Sequence, residues 1–96
     1  MRFEWDAAKS ARNYRDRGFG FGAAALIFVG FTLERPDSRR DYGEHRVIAI
    51  GTAAAILLTV VYTDRRDPAG VVRRIISARR SNQHERERYE KARPNP

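Results

Sequence analysis

The stretch Arg73-Arg74-Ile75-Ile76-Ser77-Ala78-Arg79-Arg80 joins two β-branched apolar residues to four arginines within eight positions. β-Branched side chains pack well on a pleated sheet, so the stretch predicts a strand that ends in a group of cations. A guanidinium group can hold a phosphate through two parallel hydrogen bonds and stays charged at every physiological pH. The pattern therefore favours a polyanionic ligand, and RNA is the first candidate.

Composition narrows the classes of function. The 96-residue chain suits one domain with one modest core, which we expect at residues 1–93, followed by a disordered tail at 94–96. Cysteine is absent, which excludes disulfides, thiolate catalysis and cysteine-ligated metal. Two histidines are too few for a histidine-built metal site, so we expect neither a metal nor another cofactor. The formal net charge of +7 favours nucleic acid, an anionic membrane or an acidic partner.

Two uncharged segments, residues 18–33 and 47–63, raise the alternative of a small protein with two membrane spans. A spanning helix needs about 20 consecutive apolar residues, and both segments are shorter. The second segment also alternates and is β-branched, which is typical of a buried strand. Residues 1–6 lack the apolar segment of a secretory signal. We therefore expect a cytoplasmic protein without a membrane partner.

Local signals predict helices before and after a sheet. Asp6 is a suitable N-cap for a first helix at 6–17, which Gly18 would end. A short apolar helix is expected at 21–28. A capping box of Asn82 and Glu85 predicts a last helix at about 83–93.

Between these helices, the pattern predicts four strands at 31–35, 46–51, 57–63 and 71–78. The connections are short, which implies antiparallel neighbours, and Asp67-Pro68-Ala69-Gly70 predicts a type I turn. The predicted fold class is α+β: two N-terminal helices packed on a four-stranded antiparallel sheet, plus a C-terminal helix. The second face of the sheet would then be partly open.

The end of the last predicted strand is the candidate active site. Metal-independent RNA cleavage uses the ribose 2'-hydroxyl as nucleophile and needs a base, an acid and cations that stabilise the phosphorane. Strand alternation predicts Ser77 and Arg79 on the open face of the sheet. It places Arg74 and Arg80 on the other face with Ile76 and Ala78. The predicted cationic group consists of Arg74, Arg79 and Arg80.

Three residues of the last helix are candidates for proton transfer. His84 in the first turn could serve as the base if its imidazole is neutral, although it could equally be solvated surface. Glu85 is the rival base, or it simply completes the capping box. Tyr89 could act as an acid or stack on a nucleobase, or it packs on the sheet.

Two further segments are candidates for RNA binding. Lys9 on the first helix could reach a phosphate or pair with a carboxylate. A basic loop places Arg39, Arg40 and Arg46 around Tyr42, and charge with an aromatic ring suits single-stranded RNA.

Four blocks of the sequence resemble the BrnT family of toxins from type II toxin-antitoxin modules, and the resemblance extends over nearly the whole chain. The blocks are Glu4-Trp5-Asp6 with Lys9 and Asn13, Arg40-Asp41-Tyr42-Gly43-Glu44 with Arg46, Leu58-Thr59-Val60-Val61-Tyr62-Thr63, and Arg74-Ile75-Ile76-Ser77-Ala78-Arg79-Arg80 with Glu85 and Tyr89.

This resemblance implies a RelE-like fold and a ribonuclease that arrests translation. It also implies neutralisation by a BrnA-like antitoxin with a ribbon-helix-helix part, and contact with operator DNA only through that antitoxin. The functional residues that it implies are Lys9, Arg74, Ser77, Arg79, Arg80, Glu85 and Tyr89.

The chain departs from the family pattern at three positions. Arg17 stands where relatives usually have histidine, and Gly22 and Ala23 stand where they usually have acidic residues. A histidine and a carboxylate are therefore missing. Two hypotheses follow: an active ribonuclease toxin, or a catalytically degenerate homologue that only binds its antitoxin or RNA.

Overall fold

A five-stranded mixed sheet is the centre of the computed structural model, which describes residues 1–95. The strands lie in the order β1-β5-β4-β3-β2. Their bounds are β1 Arg2–Trp5, β2 Leu33–Pro36, β3 Val47–Ala53, β4 Ile56–Asp67 and β5 Gly70–Arg80. The four strands predicted from the sequence are present, and neighbours among them pair antiparallel.

The prediction of a purely antiparallel, four-stranded sheet is wrong, because a fifth strand pairs in parallel with β5. This strand, β1, has only four residues. So short a segment carries little alternation, and its pairing depends on contact with β5 far along the chain. Phe3 and Trp5 pack against the core, whereas Glu4 bonds to Arg65 on the opposite side of the sheet.

The helices begin and end where their capping signals predict. Asp6 accepts hydrogen bonds from the backbone N–H groups of Ala8 and Lys9, and Gly18 ends the helix with a left-handed φ of 88°. The second predicted helix is α-helical only over four residues and continues as a 3₁₀ helix. The bounds are α1 Ala7–Arg17, α2 Phe21–Ala24, the 3₁₀ helix Ala25–Val29 and α3 Gln83–Ala92.

The two faces of the sheet are covered differently. On one face, here called the helix side, α1, α2 and the 3₁₀ helix cover a core that includes Phe21, Ile27, Val60, Ile75 and Ala78. On the other face, called the open side, α3 packs through a small cluster of Leu33, Ile50, Leu57 and Tyr89. The open side therefore keeps exposed surface next to α3.

An irregularity in the pairing of β4 with β5 decides which side chains of β5 share a face. Val61 pairs with Ser77 while the next residue, Tyr62, pairs with Ile75, so Ile76 is an extra residue in β5. A bulge of this kind resets the alternation of side chains along the strand. The partners of Thr59, Val61 and Thr63, which share the open side, are therefore Arg79, Ser77 and Arg74.

The predicted faces are thus right for Ser77 and Arg79 and wrong for Arg74. Simple alternation placed Arg74 with Arg80 and Ala78, but the bulge moves Arg74 to the open side. Arg80 pairs with Leu58, whose side chain belongs to the helix-side core.

None of the helices within residues 1–95 is long and apolar enough to cross a membrane. The second uncharged segment, 47–63, instead supplies β3 and the first part of β4. Pro94 and Asn95 follow α3 as exposed residues, and Pro96, the last residue of the predicted tail, lies outside the described residues.

The turn between β3 and β4 carries two alanines with positive φ, Ala54 at 50° and Ala55 at 67°. Residues with a Cβ rarely adopt this left-handed conformation, and it costs about 1–2 kcal/mol per residue relative to a right-handed one. These two positions favour glycine or asparagine, and alanine occupies both. The aspartate-glycine signal that is usual for such a turn is therefore absent.

We predict that Ala55→Gly raises the free energy of unfolding by about 1 kcal/mol, because glycine adopts a positive φ without the Cβ penalty. The measurement is urea-induced unfolding. Ala69→Gly is the matched control, since Ala69 is also an exposed turn alanine but does not have a positive φ. If both substitutions lower stability equally, the turn does not store the expected strain.

Candidate active site

Arg79 and Glu85 join the end of β5 to the first turn of α3. Nη1 and Nη2 of Arg79 donate to Oε1 and Oε2 of Glu85 at 2.8 and 2.9 Å. Oε1 also accepts from the backbone N–H of Asn82 at 2.9 Å, while the Asn82 side chain accepts from the backbone N–H of Glu85 at 2.8 Å. Glu85 therefore completes the predicted capping box and holds Arg79 at the same time.

The surroundings of Glu85 stabilise its charged form. Burial alone raises the pKa of Glu85, but the hydrogen bonds from Arg79 and Asn82 outweigh burial and lower the pKa from 4.5 to about 2. A carboxylate this weakly basic, with both oxygens engaged, is a poor acceptor for the proton of a 2'-hydroxyl. The geometry supports a positioning role in which Glu85 orients the guanidinium of Arg79.

A small cavity of about 100 Å³ opens beside this ion pair on the open side of the sheet. The side chain of Arg79 lines this cavity and is 46% exposed. Arginines from three separate segments line it. The lining residues are Arg35, Arg39, Ile48, Thr59, Val61, Ser77, Arg79 and Glu85. We call this cavity the arginine pocket.

Arg39 is held in the same way as Arg79, by a buried carboxylate. Its Nε and Nη2 donate to Oδ1 and Oδ2 of Asp37, both at 2.8 Å. These hydrogen bonds lower the pKa of Asp37 to about 2. The Asp37 side chain is fully buried, whereas that of Arg39 is 68% exposed. Arg39 therefore presents a fixed charge to solvent.

The predicted RNA-binding loop lies next to Arg39. The guanidinium of Arg46 lies 4.0 Å from the centre of the Tyr42 ring and that of Arg40 lies 5.1 Å from it. Tyr42 also contributes to the low pKa of Asp37, which links the loop to the arginine pocket. The structure thus brings Arg40, Tyr42 and Arg46 together, with two cations against one ring. A nucleobase that stacks on the Tyr42 ring competes with these two guanidinium groups for the same ring.

The remaining predicted cations lie away from the arginine pocket. Lys9 lines a separate cleft of about 260 Å³ between α1 and β5, where Ser77 is also at the border. Arg80 lines a cleft on the helix side. Arg74 is on the open side but stands beside β1, where its Nη1 lies 3.8 Å from Glu4.

The other two proton-transfer candidates on α3 differ in exposure. His84 is exposed in the first turn of the helix. Tyr89 is only 5% exposed, and its hydroxyl donates to the backbone carbonyl of Phe31 at 3.2 Å. The structure therefore places Tyr89 in the core, which corresponds to the packing alternative for this residue.

Arg35 and Arg39 complete the pocket. Arg35 was not predicted as a site residue, and Arg39 was predicted only as part of the basic RNA-binding loop. Arg35 shares a strand face with the apolar Leu33, and alternation along β2 would have indicated that it faces the open side. Nothing local places either residue beside Arg79, because that contact joins distant parts of the chain.

The three departures from the family pattern all lie on the helix side. Arg17 donates to Asn13 Oδ1 at 2.7 Å and to the Ala78 carbonyl at 3.2 Å, so it ties α1 to β5. Gly22 lies beside Trp5, and Ala23 lines the cleft that contains Arg80. Within residues 1–95, no group of three or more His, Cys, Asp or Glu side chains could hold a metal ion.

The fold and the arginine pocket define a small α+β protein with preorganised cations suited to a phosphate. One family model matches residues 5–85; its description is ribonuclease toxin, BrnT, of type II toxin-antitoxin system. The chain belongs to this family of ribonuclease toxins. A comparison with curated proteins gives no match.

We predict that Glu85→Gln lowers stability in a pH-dependent way. Because the folded-state pKa of Glu85 is depressed to about 2, its stabilising contribution is complete above pH 4.5 and is lost as pH falls toward 2. At pH 7 the free energy of unfolding of the variant should be lower than that of the unsubstituted protein by on the order of 2 kcal/mol. The difference should shrink between pH 4.5 and pH 3.

Urea-induced unfolding at several pH values measures this difference. Glu87→Gln is the control, because Glu87 is an exposed carboxylate on the same helix. A destabilisation by Glu85→Gln that stays constant from pH 7 to pH 3 would show that the charge of Glu85 contributes nothing.

Proposed function

We propose that this ribonuclease toxin is a metal-independent endoribonuclease that cleaves RNA in the arginine pocket and so arrests translation in the cytoplasm. We further assign it a RelE-like fold with a single toxin domain over residues 1–93. The observation that carries the proposal is the pair of arginines, Arg39 and Arg79, each held by a buried carboxylate at the edge of one cavity. Family membership supports the class of activity, and the pocket supports the mechanism.

The reaction needs no bound nucleophile, because the ribose 2'-hydroxyl attacks the adjacent phosphate. The phosphorane that forms carries an additional negative charge. Cations that are already in position stabilise this charge without reorganisation, which is often the largest contribution to catalysis. Arg79 is assigned this role, with Arg35 and Arg39 as further donors to phosphate oxygens.

Metal independence follows in this proposal from the internal nucleophile and from the three guanidinium groups. Ser77 lines the same pocket, and its hydroxyl can donate to a phosphate oxygen. Thr59 also lines the pocket, but its hydroxyl is buried and lies 2.8 Å from the Ser81 hydroxyl, to which it is hydrogen-bonded. His84 is the accessible proton-transfer residue of the predicted set, because both oxygens of Glu85 are engaged and Tyr89 is buried. We assign His84 the proton transfer.

The loop with Arg40, Tyr42 and Arg46 is assigned to the RNA strand beyond the cleaved phosphate. Charge and stacking act without base specificity, which suits single-stranded RNA. Lys9, in its own cleft near Ser77, would bind a neighbouring phosphate. The antitoxin is proposed to be a BrnA-like ribbon-helix-helix protein, through which the complex contacts operator DNA.

A second candidate function is RNA or antitoxin binding without cleavage. The observation that favours it concerns Glu85, the carboxylate that lines the pocket. Its pKa is about 2 and its oxygens accept hydrogen bonds, so it is poorly suited to accept a proton. The two candidates differ in one result. The degenerate homologue binds RNA or antitoxin but leaves RNA intact, whereas the ribonuclease cleaves it in EDTA.

We predict that Arg79→Ala lowers the rate of RNA cleavage in EDTA by about 10² to 10³, the usual cost of losing one donor to a developing oxyanion. Arg35→Ala should lower it less, because Arg35 is exposed. Arg66→Ala, an exposed arginine of β4, is the control and should cleave normally. The measurement is single-turnover cleavage of a labelled oligoribonucleotide.

Arg79→Ala leaves the buried Glu85 without its partner, so unfolding is measured in parallel and Arg79→Lys is tested beside it. Lysine keeps the charge but lacks the planar pair of donors. If Arg35→Ala and folded Arg79→Lys both cleave at the rate of the unsubstituted protein, the active site lies elsewhere.

A further inference from the structure

A groove of about 510 Å³ runs along the open side, between the strands β2 and β3 and the last turns of α3. Its floor is apolar and consists of Leu33, Ile48 and Ile50. Its rim carries three cations and a single carboxylate. The rim residues are Arg35, Arg88, Lys91, Glu34 and Ala92.

One nitrogen in this groove has no partner. Nε of Arg88 is the buried side-chain polar atom that lacks a hydrogen bond within residues 1–95. A buried donor without an acceptor costs about 1–3 kcal/mol, more when the group is charged. Because Nε is buried, a carboxylate of a bound partner satisfies this donor only after the Arg88 side chain turns toward the groove. Lys91 on the same helix face adds attraction for acidic side chains.

The composition of the groove favours a protein over RNA as the occupant. A nucleic acid would gain little from an aliphatic floor, because it binds through phosphate charge and through stacking on aromatic rings. An amphipathic helix buries its apolar face in such a groove and places charged residues at the rim. The net charge of +7 favours association with an acidic chain.

We propose that this groove binds an acidic amphipathic helix of the antitoxin. The inference rests on the proposed function in that it takes the partner to be the antitoxin of this module. Arg35 and Ile48 line both the groove and the arginine pocket. A helix in the groove therefore covers the entrance to the pocket, and it blocks RNA by occupying space rather than by changing the conformation of the toxin.

The test uses the 96-residue toxin and the purified antitoxin of its module. Arg88→Glu should weaken the complex by about tenfold or more, because it replaces a donor to a carboxylate with a like charge. Arg86→Glu is the matched control, since it makes the same charge change on an exposed position of α3 outside the groove. Its affinity should stay within about twofold of the unsubstituted value.

Hydrogen exchange of the unsubstituted complex is the second measurement. Antitoxin binding should protect the backbone amides of β2 and α3. The inference is overturned if protection falls elsewhere, if Arg88→Glu and Arg86→Glu weaken binding equally, or if no complex forms. It is also overturned if a single-stranded oligoribonucleotide, rather than the antitoxin, protects the groove.

RNA cleavage by the same variants separates this inference from the proposed function. Neither Arg86 nor Arg88 belongs to the arginine pocket, so both variants should cleave RNA when the antitoxin is absent. A toxin that cleaves but binds its antitoxin elsewhere contradicts only the groove. A toxin that binds its antitoxin in the groove but never cleaves contradicts only the ribonuclease proposal.

Discussion

The ion pair between Arg79 and Glu85 is the interaction on which the open side depends. It joins the last strand to the last helix through two hydrogen bonds, and the same carboxylate completes the cap of that helix. Apart from Tyr89, α3 offers little apolar surface to the sheet, so this pair and Tyr89 hold it in place. Because α3 borders both the arginine pocket and the groove, the ion pair maintains both sites.

The same arrangement occurs a second time in the loop after β2, where the buried Asp37 holds Arg39. Burying a carboxylate costs free energy unless hydrogen bonds and an opposite charge compensate for it. Here the compensating arginine remains accessible to solvent. Each buried acid thus fixes the orientation of a cation before any ligand arrives, which lowers the entropy lost when a phosphate binds.

Local patterns were sufficient to predict much of the chain but not its long-range contacts. The cap at Asp6, the end at Gly18 and the capping box of α3 depend on neighbouring residues, and the structure contains all three. The strand β1 depends on pairing with β5, which no local pattern shows. The alternation of apolar residues does not reveal the bulge at Ile76 either, and this bulge places Arg74 on the open side.

In the candidate site, too, local patterns predict some placements, whereas others depend on long-range contacts. The open-side placement of Ser77 and Arg79 could be predicted, because the alternation from Ser77 onward lies after the bulge. The placement of Arg35 and Arg39 beside them could not, since it requires the loop and β2 to meet β5 across two intervening strands. Tyr89 illustrates a further difficulty: a single aromatic residue in a polar helix suits both stacking on RNA and packing, and only the three-dimensional contacts distinguish these roles.

The central claim is that RNA is cleaved by its own 2'-hydroxyl without metal. It is tested most directly with an oligoribonucleotide that the toxin cuts at a known position, compared in EDTA with the same oligonucleotide carrying one 2'-deoxyribose at that position. Cleavage by the 2'-hydroxyl gives a 2',3'-cyclic phosphate product from the first and no cleavage at the modified position in the second. Cleavage at the deoxyribose, or cleavage only when a divalent metal is added, would contradict it.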